Sequence, residues 1–310
     1  MQPSRIRDFA MGSLPLSARL VRTAWRVAPK RALTGSIGWF AGLGVPTWCR
    51  AAVLSRFARL YGIDTREAAR ALSDYDGLDA FFTRQLVPGA RTIEPAPDVV
   101  TSPSDGTVVE SGVVVEGQLL QAKGVLFDLE ELLADPVAAQ RLTGGAYLIT
   151  YLSPKDYHRV HSPIAGRILG WRHVPGTLFP VNAGSVVREP GLFIRNERFI
   201  TLIEGDAGLC AVVMVAAVGV GHVTAAYDPE VATHNRSFLR SPERTRTFAV
   251  PPLVAKGEEL ATFHLGSTTV VVFEPRRVRL RTLESGTTTK MGESIGRILS
   301  ADIDGLVRSA

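Results

Sequence analysis

"FHLGSTTVVVF", residues 263–273, is the stretch that decides how the chain is interpreted. Its second half is a run of β-branched and aromatic residues, which predicts a buried strand. A Gly-Ser pair, Gly266 and Ser267, stands at the entrance to this strand. Taken alone the pair indicates a turn, because glycine relaxes the backbone and serine hydrogen-bonds to neighbouring amides. The rest of the chain favours a chemical role for it.

The composition is that of a globular protein with a basic N-terminus. The chain has 310 residues, of which 45% are hydrophobic, enough to form a full core. Cys49 and Cys210 are far apart, so we expect neither a disulfide framework nor a cysteine-based metal site, and we expect a reducing compartment. Residues 1–60 hold 10 of the 35 Lys and Arg residues but only one of the 30 acids. This asymmetry disfavours a nucleic-acid partner and indicates a local basic segment.

Residues 1–60 predict basic amphipathic helices that associate with an anionic membrane surface. Four cationic residues recur at helical intervals on one face: Arg19, Arg22, Arg26 and Lys30. The uncharged residues 32–49 contain four glycines and a proline, so we predict an interfacial segment and not a spanning helix. Arginines interrupt the apolar runs, which disfavours a secretory signal. A mitochondrial presequence and a helical hairpin packed on the main domain remain alternatives.

Residues 61–310 predict one catalytic domain of the α+β class with a β-rich core. Residues 66–86 have helical spacing, and so do residues 128–142, where Asp128 is suited to cap the helix. Strands are predicted at 106–115, 146–153, 166–174, 199–205, 210–219, 268–275 and 277–283.

The sequence contains a short internal echo. "SPSDGTV" at 102–108 and "SPIAGRI" at 162–168 share the pattern S-P-x-x-G-x-[V/I], and "AKG" occurs at 122–124 and at 255–257. The echo predicts two pseudo-symmetric β half-units packed face to face, in an architecture that resembles biotinyl and lipoyl domains.

"YLSPKDYHRVHSP", residues 151–163, places His158 and His161 in a polar segment after an apolar strand. Two imidazoles in such a segment indicate acid–base chemistry. A metal site is the weaker alternative, because no third ligand follows nearby. In "SPSDG", Asp105 fits an Asx turn, or else it orients a histidine that faces a serine, as in serine chemistry. The residues alone leave open whether the three meet.

Eight segments, in this order and approximate spacing, resemble the bacterial-type phosphatidylserine decarboxylases. They are "FFTRQL", "PSDG", "LLQAKG", "YLSPKDYHRVHSP", "VPGTLFPVN", "FIRNERFI", "KGEELATFHLGST" and "TKMGESIG". The likeness extends from about residue 50 to residue 298, and the joint presence of "YHRVH" and "LGST" is its most specific part.

The resemblance implies a chain that cleaves itself. In that family the serine of the Leu-Gly-Ser-Thr motif cuts its own chain, which places the break between Gly266 and Ser267 and gives a large chain 1–266 and a small chain 267–310. The self-processing triad corresponds to Asp105, His161 and Ser267, with Ser267 as nucleophile, His161 as general base and Asp105 orienting the imidazole. The two chains are expected to remain one folded unit.

The resemblance also implies a cofactor made from the chain itself. Ser267 becomes a pyruvoyl group, which forms a Schiff base with phosphatidylserine and acts as the electron sink for its decarboxylation to phosphatidylethanolamine. No pyridoxal phosphate and no metal is implied, and His158 is the candidate for assisting decarboxylation. The family suggests a homodimer, peripheral on the cytoplasmic face of a bacterial inner membrane, or on the mitochondrial inner membrane in a eukaryote.

Two other functions remain open at this stage. A biotinyl- or lipoyl-type carrier is suggested by the half-units and by Lys290-Met291, but that interpretation gives no role to His158 or His161. A pyruvoyl enzyme for a soluble amino acid is the other, although it would not explain the basic N-terminus. His222 is not explained by the resemblance, and we expect a structural role for it.

Overall fold

The structure is a computed structural model that describes residues 43–122, 125–181, 185–186, 189–217, 222–231, 233, 242–264 and 267–299. It defines an α+β protein in which sheets dominate. The described helices are α1 (Thr47–Tyr61), α2 (Leu78–Phe82), α3 (Leu129–Leu133), α4 (Pro136–Leu142) and α5 (Leu192–Arg195), with 3-10 turns at Thr65–Glu67 and Leu72–Asp74.

The strands form one large and three small antiparallel sheets. They are β1 (Val99–Thr101), β2 (Gly106–Val113), β3 (Gln118–Ala122), β4 (Val125–Asp128), β5 (Ala146–Leu152), β6 (Arg159–His161), β7 (Gly166–Val174), β8 (Arg198–Gly205), β9 (Gly208–Val215), β10 (Val223–Ala225), β11 (Arg244–Thr247), β12 (Leu253–Val254), β13 (Glu259–Phe263), β14 (Ser267–Phe273), β15 (Val278–Leu280), β16 (Thr288–Thr289) and β17 (Ser294–Ile298). The large sheet has the order β11-β7-β8-β9-β14-β5-β2-β16, with β12 also on β7. The small sheets are β1-β17-β15, β10-β13-β6 and β3-β4.

Strand β14 lies inside the large sheet between β5 and β9 and is buried along its whole length. Its side chains alternate between two hydrophobic clusters, with Val271 and Phe273 in one and Val270 and Val272 in the other. Both faces of the sheet are therefore covered at β14, as the run of β-branched residues predicts. The residue that begins β14 is held in a rigid, dry environment.

All seven predicted strands are confirmed as β2, β5, β7, β8, β9, β14 and β15. The helix predicted at 128–142 is present as two helices. Asp128 caps α3 by accepting from Glu131 N at 2.9 Å, as predicted, and Asp135 caps α4 by accepting from Ala138 N at 3.0 Å. The break falls here because Pro136 suits the first turn of a helix and not its interior.

The continuous helix predicted over residues 66–86 is wrong. That segment contains the two 3-10 turns and the short α2, and its ends pair with each other in a bridge between Ala68 and Leu86. Backbone hydrogen bonds from Ala69 N to Gln85 O and from Val87 N to Glu67 O, both 2.9 Å, close this loop. A helix would hold residues 68 and 86 about 27 Å apart, so the bridge excludes it.

The predicted amphipathic stripe Arg19–Lys30 lies outside the described residues, and so does the "AKG" of the echo beyond Ala122. Helix α1 is described. Its Leu54 and Ala58 are buried against a third hydrophobic cluster that includes Tyr75 and Phe81. In the described part of the chain, no helix combines the length and the apolar character needed to cross a bilayer.

The two Ser-Pro turns of the echo lie side by side and bond to each other. Thr101 N donates to Pro163 O at 3.0 Å, and His161 N donates to Pro103 O at 2.7 Å. The two bonds are equivalent, because Thr101 and His161 each precede a Ser-Pro pair and each donates to the proline of the other pair. The hydroxyls repeat the relation, because Ser102 Oγ donates to Ser104 O and Ser162 Oγ donates to Ile164 O. This reciprocal pairing holds the residues after the first turn beside the histidine segment before the second.

Candidate active site

Asp105 follows the first Ser-Pro turn and is buried. Its carboxylate accepts from Arg91 Nε at 2.8 Å and from the Met291 backbone N at 2.9 Å. Lys290 Nζ lies 3.5 Å from it. The next residue, Gly106, approaches β5 so closely that a Cβ there would lie 2.5 Å from Tyr151 O. The glycine therefore lets the turn carry Asp105 against the sheet.

Arg91 joins two acids in the interior. Its Nη1 and Nη2 each lie 2.9 Å from a carboxylate oxygen of Glu67, while its Nε side faces Asp105. Burial alone would lower the Arg91 pKa, but the hydrogen bonds and charges of Asp105 and Glu67 raise it above its ordinary value. Asp105 is thus held as one member of a buried ion-pair network, a role that its Asx-turn motif does not reveal.

His161 is the last residue of β6 and is nearly buried. Its Nδ1 lies 2.9 Å from Gly257 O and its Nε2 lies 3.3 Å from the Tyr157 hydroxyl. Burial lowers the pKa of His161, so the imidazole is held in its neutral form. The predicted contact with Asp105 is not among its hydrogen bonds, although the Asp105 charge acts on His161 in the direction that raises the pKa.

His158 comes just before β6 and is fully buried. Its Nδ1 lies 2.8 Å from Asp156 O, and its ring centroid is 3.9 Å from that of Phe82 on α2. Burial lowers the His158 pKa to about 3, with a smaller contribution from the charge of Arg84. A carbonyl oxygen can only accept, so Nδ1 carries the hydrogen and Nε2 presents a lone pair.

Ser267 begins β14, opposite Leu152 of β5, and has no exposed surface. Gly266, the other half of the predicted cleavage site, lies outside the described residues. Two contacts bring the elements together around this strand end. Phe263 N, on β13, donates to His158 O at 2.9 Å, and Ser104 Oγ lies 3.1 Å from Thr269 Oγ1. His158 is therefore bonded to β13 and the Asp105 turn to β14, and among the described residues no hydrogen bond links Asp105, His161 and Ser267 to one another.

Buried polar atoms without a hydrogen-bond partner mark this region. Within the described ranges they belong to five residues: Arg84, Thr150, His158, Ser267 and Thr268. Three of these are the nucleophile candidate, the buried imidazole and a buried guanidinium. Folded proteins pair nearly all such atoms, so a concentration of unpaired ones indicates a place that binds or reacts.

Local sequence patterns do not single out Arg84, Arg91 or the surroundings of His264. His264 Nδ1 lies 3.0 Å from both carboxylate oxygens of Asp79 on α2, and its ring centroid is 4.2 Å from that of His222. His222 thus packs on a histidine three residues before Ser267. Helix α2 contacts both His264, through Asp79, and His158, through Phe82, and only the long-range fold could reveal this.

A buried serine hydroxyl without a partner, in a described fold that also buries two neutral imidazoles, is typical of the class of enzymes that use an activated hydroxyl. Comparison with known proteins identifies the group within that class. A profile of the family described as phosphatidylserine decarboxylase matches residues 78–297. The chain belongs to the phosphatidylserine decarboxylase family and is an enzyme.

Relatives named phosphatidylserine decarboxylase proenzyme support this membership. The chain is 44% identical to one from Anaeromyxobacter sp. (strain K), over 91% of this chain and 99% of that protein. It is 40% identical to one from Myxococcus xanthus, over 88% and 96%, and 38% identical to one from Ectopseudomonas mendocina, over 91% and 99%.

Membership in a decarboxylase family disfavours the carrier alternative, and Lys290, the lysine that suggested it, has its Nζ 3.5 Å from the Asp105 carboxylate. In the residues that the structure describes, His, Cys, Asp and Glu do not form a group of three or more suited to a metal ion.

The buried neutral state of His158 predicts a specific pH dependence of stability. Its pKa is about 3 in the fold against 6.5 for the free side chain, so the unfolded chain binds more protons between these values and stability falls as the pH falls. Between pH 6.5 and pH 4 the free energy of unfolding should fall by about 2–3 kcal/mol more in the parent than in His158→Gln. Urea unfolding, with both proteins carrying Ser267→Ala to keep one chain, measures the difference.

Above pH 7.5 the two proteins should show the same pH dependence of the free energy of unfolding, because the His158 imidazole is then neutral in both the folded and the unfolded chain. Parallel pH profiles from pH 4 to pH 8 would contradict the buried neutral imidazole.

Proposed function

We propose that this chain is a self-processing, pyruvoyl-dependent decarboxylase that converts phosphatidylserine to phosphatidylethanolamine and carbon dioxide. One observation supports the proposal: within the described residues, the Ser267 hydroxyl at the start of β14 and His158 Nε2 are buried and have no hydrogen-bond partner, in a chain of this family. Burying such groups without partners is costly for a fold that does not use them.

The first reaction cleaves the chain. Ser267 Oγ bonds to the carbonyl carbon of Gly266 while the peptide C–N bond breaks, so that an ester replaces the amide. The hydroxyl proton passes through His161 to the freed amine. In the elimination that follows, a base takes the Cα proton of residue 267 and the Cβ–O bond breaks, which releases the carboxylate of Gly266 and leaves dehydroalanine at position 267. Addition of water and loss of ammonia convert that residue to a pyruvoyl group.

His161 is suited to act as the base in this reaction. Gly257 O accepts from its Nδ1, which fixes the tautomer and leaves a lone pair on Nε2 beside the Tyr157 hydroxyl. Burial keeps the imidazole neutral before it takes the proton. We infer that Asp105, held by Arg91, assists through its negative charge, which favours the protonated imidazole that forms during cleavage.

The site fits a pyruvoyl group at position 267, since the side chain it would replace is buried and makes no hydrogen bond within the described residues. Such a group, when present, supplies the electron sink that decarboxylation of an amino acid requires. We propose that His158 Nε2 takes the proton that the substrate amine must lose and returns a proton to the carbon after carbon dioxide leaves. Phe82 packs on the imidazole and excludes water from it.

The two histidines should therefore separate the two reactions. His161→Ala should remain a single uncleaved chain, because Ser267 loses its base. His158→Ala should cleave but release carbon dioxide from phosphatidylserine about 10²–10⁴-fold more slowly, the usual contribution of an acid–base group. A denaturing gel measures cleavage, and trapped carbon dioxide measures the second reaction.

His173→Gln is the matched control, because His173 is equally buried but bonds to Glu197 at 3.1 Å and lies outside the site. Its substitution should alter neither reaction. Normal cleavage in His161→Ala would refute its role as base, and equal rates with free serine would refute the lipid substrate.

We further propose that the enzyme binds membranes peripherally, on the cytoplasmic face if the source is bacterial. Helix α1 supports this, because its outer surface combines Trp48, 88% exposed, and Leu60, 75% exposed, with the arginines Arg56 and Arg59. Tryptophan and leucine beside arginine suit the interface of an anionic bilayer. The basic residues 1–42 would add to the same attraction.

The membrane proposal predicts that Trp48→Glu combined with Leu60→Glu weakens binding to phosphatidylglycerol vesicles at least tenfold, because each side chain contributes about 1.5–3 kcal/mol when buried in lipid. Vesicle sedimentation measures the partition. Val137→Glu is the control, since Val137 is 71% exposed but lies on α4. An equal loss for both proteins would contradict a role for α1.

The reciprocal bonds of the two Ser-Pro turns support an inference about the fold itself, that the core consists of two pseudo-symmetric half-units. The serines of the two Ser-Pro turns also accept equivalent bonds, because Gly257 N donates to Ser162 O and Gly292 N donates to Ser102 O.

Cleavage at Ser267 would leave β14 to β17 on the small chain. Since β14 pairs with both β5 and β9, we expect the two chains to stay together.

A further inference from the structure

Arg84 is a buried arginine without an anionic partner. Arg84 follows α2 in the sequence and is 2% exposed. Only Nη2 makes hydrogen bonds, to Lys155 O at 3.2 Å and to Asp156 O at 3.5 Å. Nε and Nη1 are buried and have no partner among the described residues. A buried guanidinium is normally paired with an acid or with several carbonyls, so Arg84 lacks the acceptors expected for its Nε and Nη1.

The two acids whose charges act on Arg84 do not serve as its partners, because Arg91 already binds them. Glu67 and Asp105 lie close enough for their charges to act on Arg84, yet both carboxylates bond to Arg91, at 2.9 and 2.8 Å. No carboxylate oxygen of the described chain forms an ion pair with Arg84. Arg91 therefore has carboxylate partners, whereas Arg84, the unmatched arginine, has none among the described residues.

Arg198 shows what a structural arginine looks like in this fold. It is comparably buried, at 5% exposure. Its Nε donates to Leu132 O, its Nη1 to Ile194 O and Asn196 O, and its Nη2 to Glu131 O, all at 2.5–3.0 Å. Every side-chain nitrogen of Arg198 donates to a backbone carbonyl, whereas Nε and Nη1 of Arg84 have no acceptor among the described residues.

The unmatched guanidinium lies beside the imidazole that we assign to decarboxylation. Asp156 O accepts both from Arg84 Nη2 and from His158 Nδ1, so the two side chains share one carbonyl. Adjacent aromatic residues of α2 pack on each of them, Phe81 on Arg84 and Phe82 on His158. An anion that reaches Arg84 is thereby placed next to His158.

We propose that Arg84 binds the phosphodiester of the phospholipid substrate, an inference that rests on the proposed function. In the serine headgroup only the β-carbon and one ester oxygen separate the phosphorus from the carbon that loses carbon dioxide. A phosphodiester at Arg84 would therefore bring that carbon to His158. The unpaired Nε and Nη1 lie on different edges of the guanidinium group, and each can donate a charge-assisted hydrogen bond to a phosphodiester oxygen.

The substrate carboxylate is the other candidate anion, and the chemistry disfavours it. The carboxylate gives up its charge as carbon dioxide leaves, so an ion pair with it would stabilise the ground state and slow the reaction. The phosphodiester keeps its charge throughout. Binding it contributes equally to the ground state and the transition state, which appears in KM and leaves kcat nearly unchanged.

The test compares Arg84→Met with Arg84→Lys and with the control Arg198→Met, scoring only the cleaved fraction of each preparation. Short-chain phosphatidylglycerol, which has the phosphodiester but neither amine nor carboxylate, is the first probe. A short-chain N-acylserine, which has the carboxylate but no phosphodiester, is the second. Binding is measured directly, as the rise in Tm that each probe produces, beside KM and kcat for phosphatidylserine.

We expect Arg84→Met to lose the Tm rise with phosphatidylglycerol and to raise KM about 30-fold, since a hydrogen bond to a charged group is removed. The value of kcat should change less than about threefold, and Arg84→Lys should retain part of the binding because it keeps the charge. Without probe, Arg84→Met should keep its Tm, whereas Arg198→Met should lose about 4 °C or more, because its four carbonyl acceptors are left buried and unpaired.

Three results would overturn the proposal. An unchanged phosphatidylglycerol response in Arg84→Met would remove the anion site. A loss confined to the N-acylserine response would assign Arg84 to the carboxylate, and an uncleaved Arg84→Met would assign it to self-processing. A wild-type protein that releases no carbon dioxide from phosphatidylserine would instead refute the proposed function, while a phosphatidylglycerol response that depends on Arg84 would still support the site.

Discussion

The reciprocal hydrogen bonds between the two Ser-Pro turns are the constraint on which the arrangement of the site depends. The bond from His161 N to Pro103 O fixes the histidine segment against the turn that carries Asp105. The same turn is bonded to β14 through the hydroxyl groups of Ser104 and Thr269. Breaking the pairing would free the two imidazoles from the strand that begins with Ser267, although each would remain in its own hydrophobic surroundings.

Burial determines the chemistry that these residues can perform. Desolvation lowers the pKa of both His158 and His161, so both imidazoles stay neutral, and the carbonyls of Asp156 and Gly257 set their tautomers. A neutral imidazole with a free lone pair can take a proton from a hydroxyl or an amine. In the function that we propose, the positive charge for an anionic lipid is carried by Arg84, which burial does not discharge.

The sequence predicted the elements that depend on local patterns, and missed the contacts that depend on distant residues. The apolar runs predicted β5, β7, β9 and β14, because periodicity depends on neighbouring residues alone. The motifs pointed to His158, His161 and Ser267. Arg91 was missed because its partners, Glu67 and Asp105, are 24 and 14 residues away. Arg84 lies in "FFTRQL", where nothing local distinguishes a buried arginine from an exposed one.

The failed helix at 66–86 has the same cause. Its spacing is helical, but the bridge between Ala68 and Leu86 and the contacts of α2 with both histidines are tertiary interactions that override a local pattern. The echo of the Ser-Pro turns is the exception that carried long-range information, because a repeated pattern implies repeated contacts.

The central claim is that Ser267 becomes a pyruvoyl group, and the mass of the protein's fragments under denaturing conditions tests it most directly. We expect two fragments that meet between residues 266 and 267. The smaller should be lighter than a peptide with an N-terminal serine by the mass of ammonia, and Ser267→Ala should give one intact chain. An intact wild-type chain after prolonged incubation, or a small fragment that begins with unmodified serine, would contradict the account.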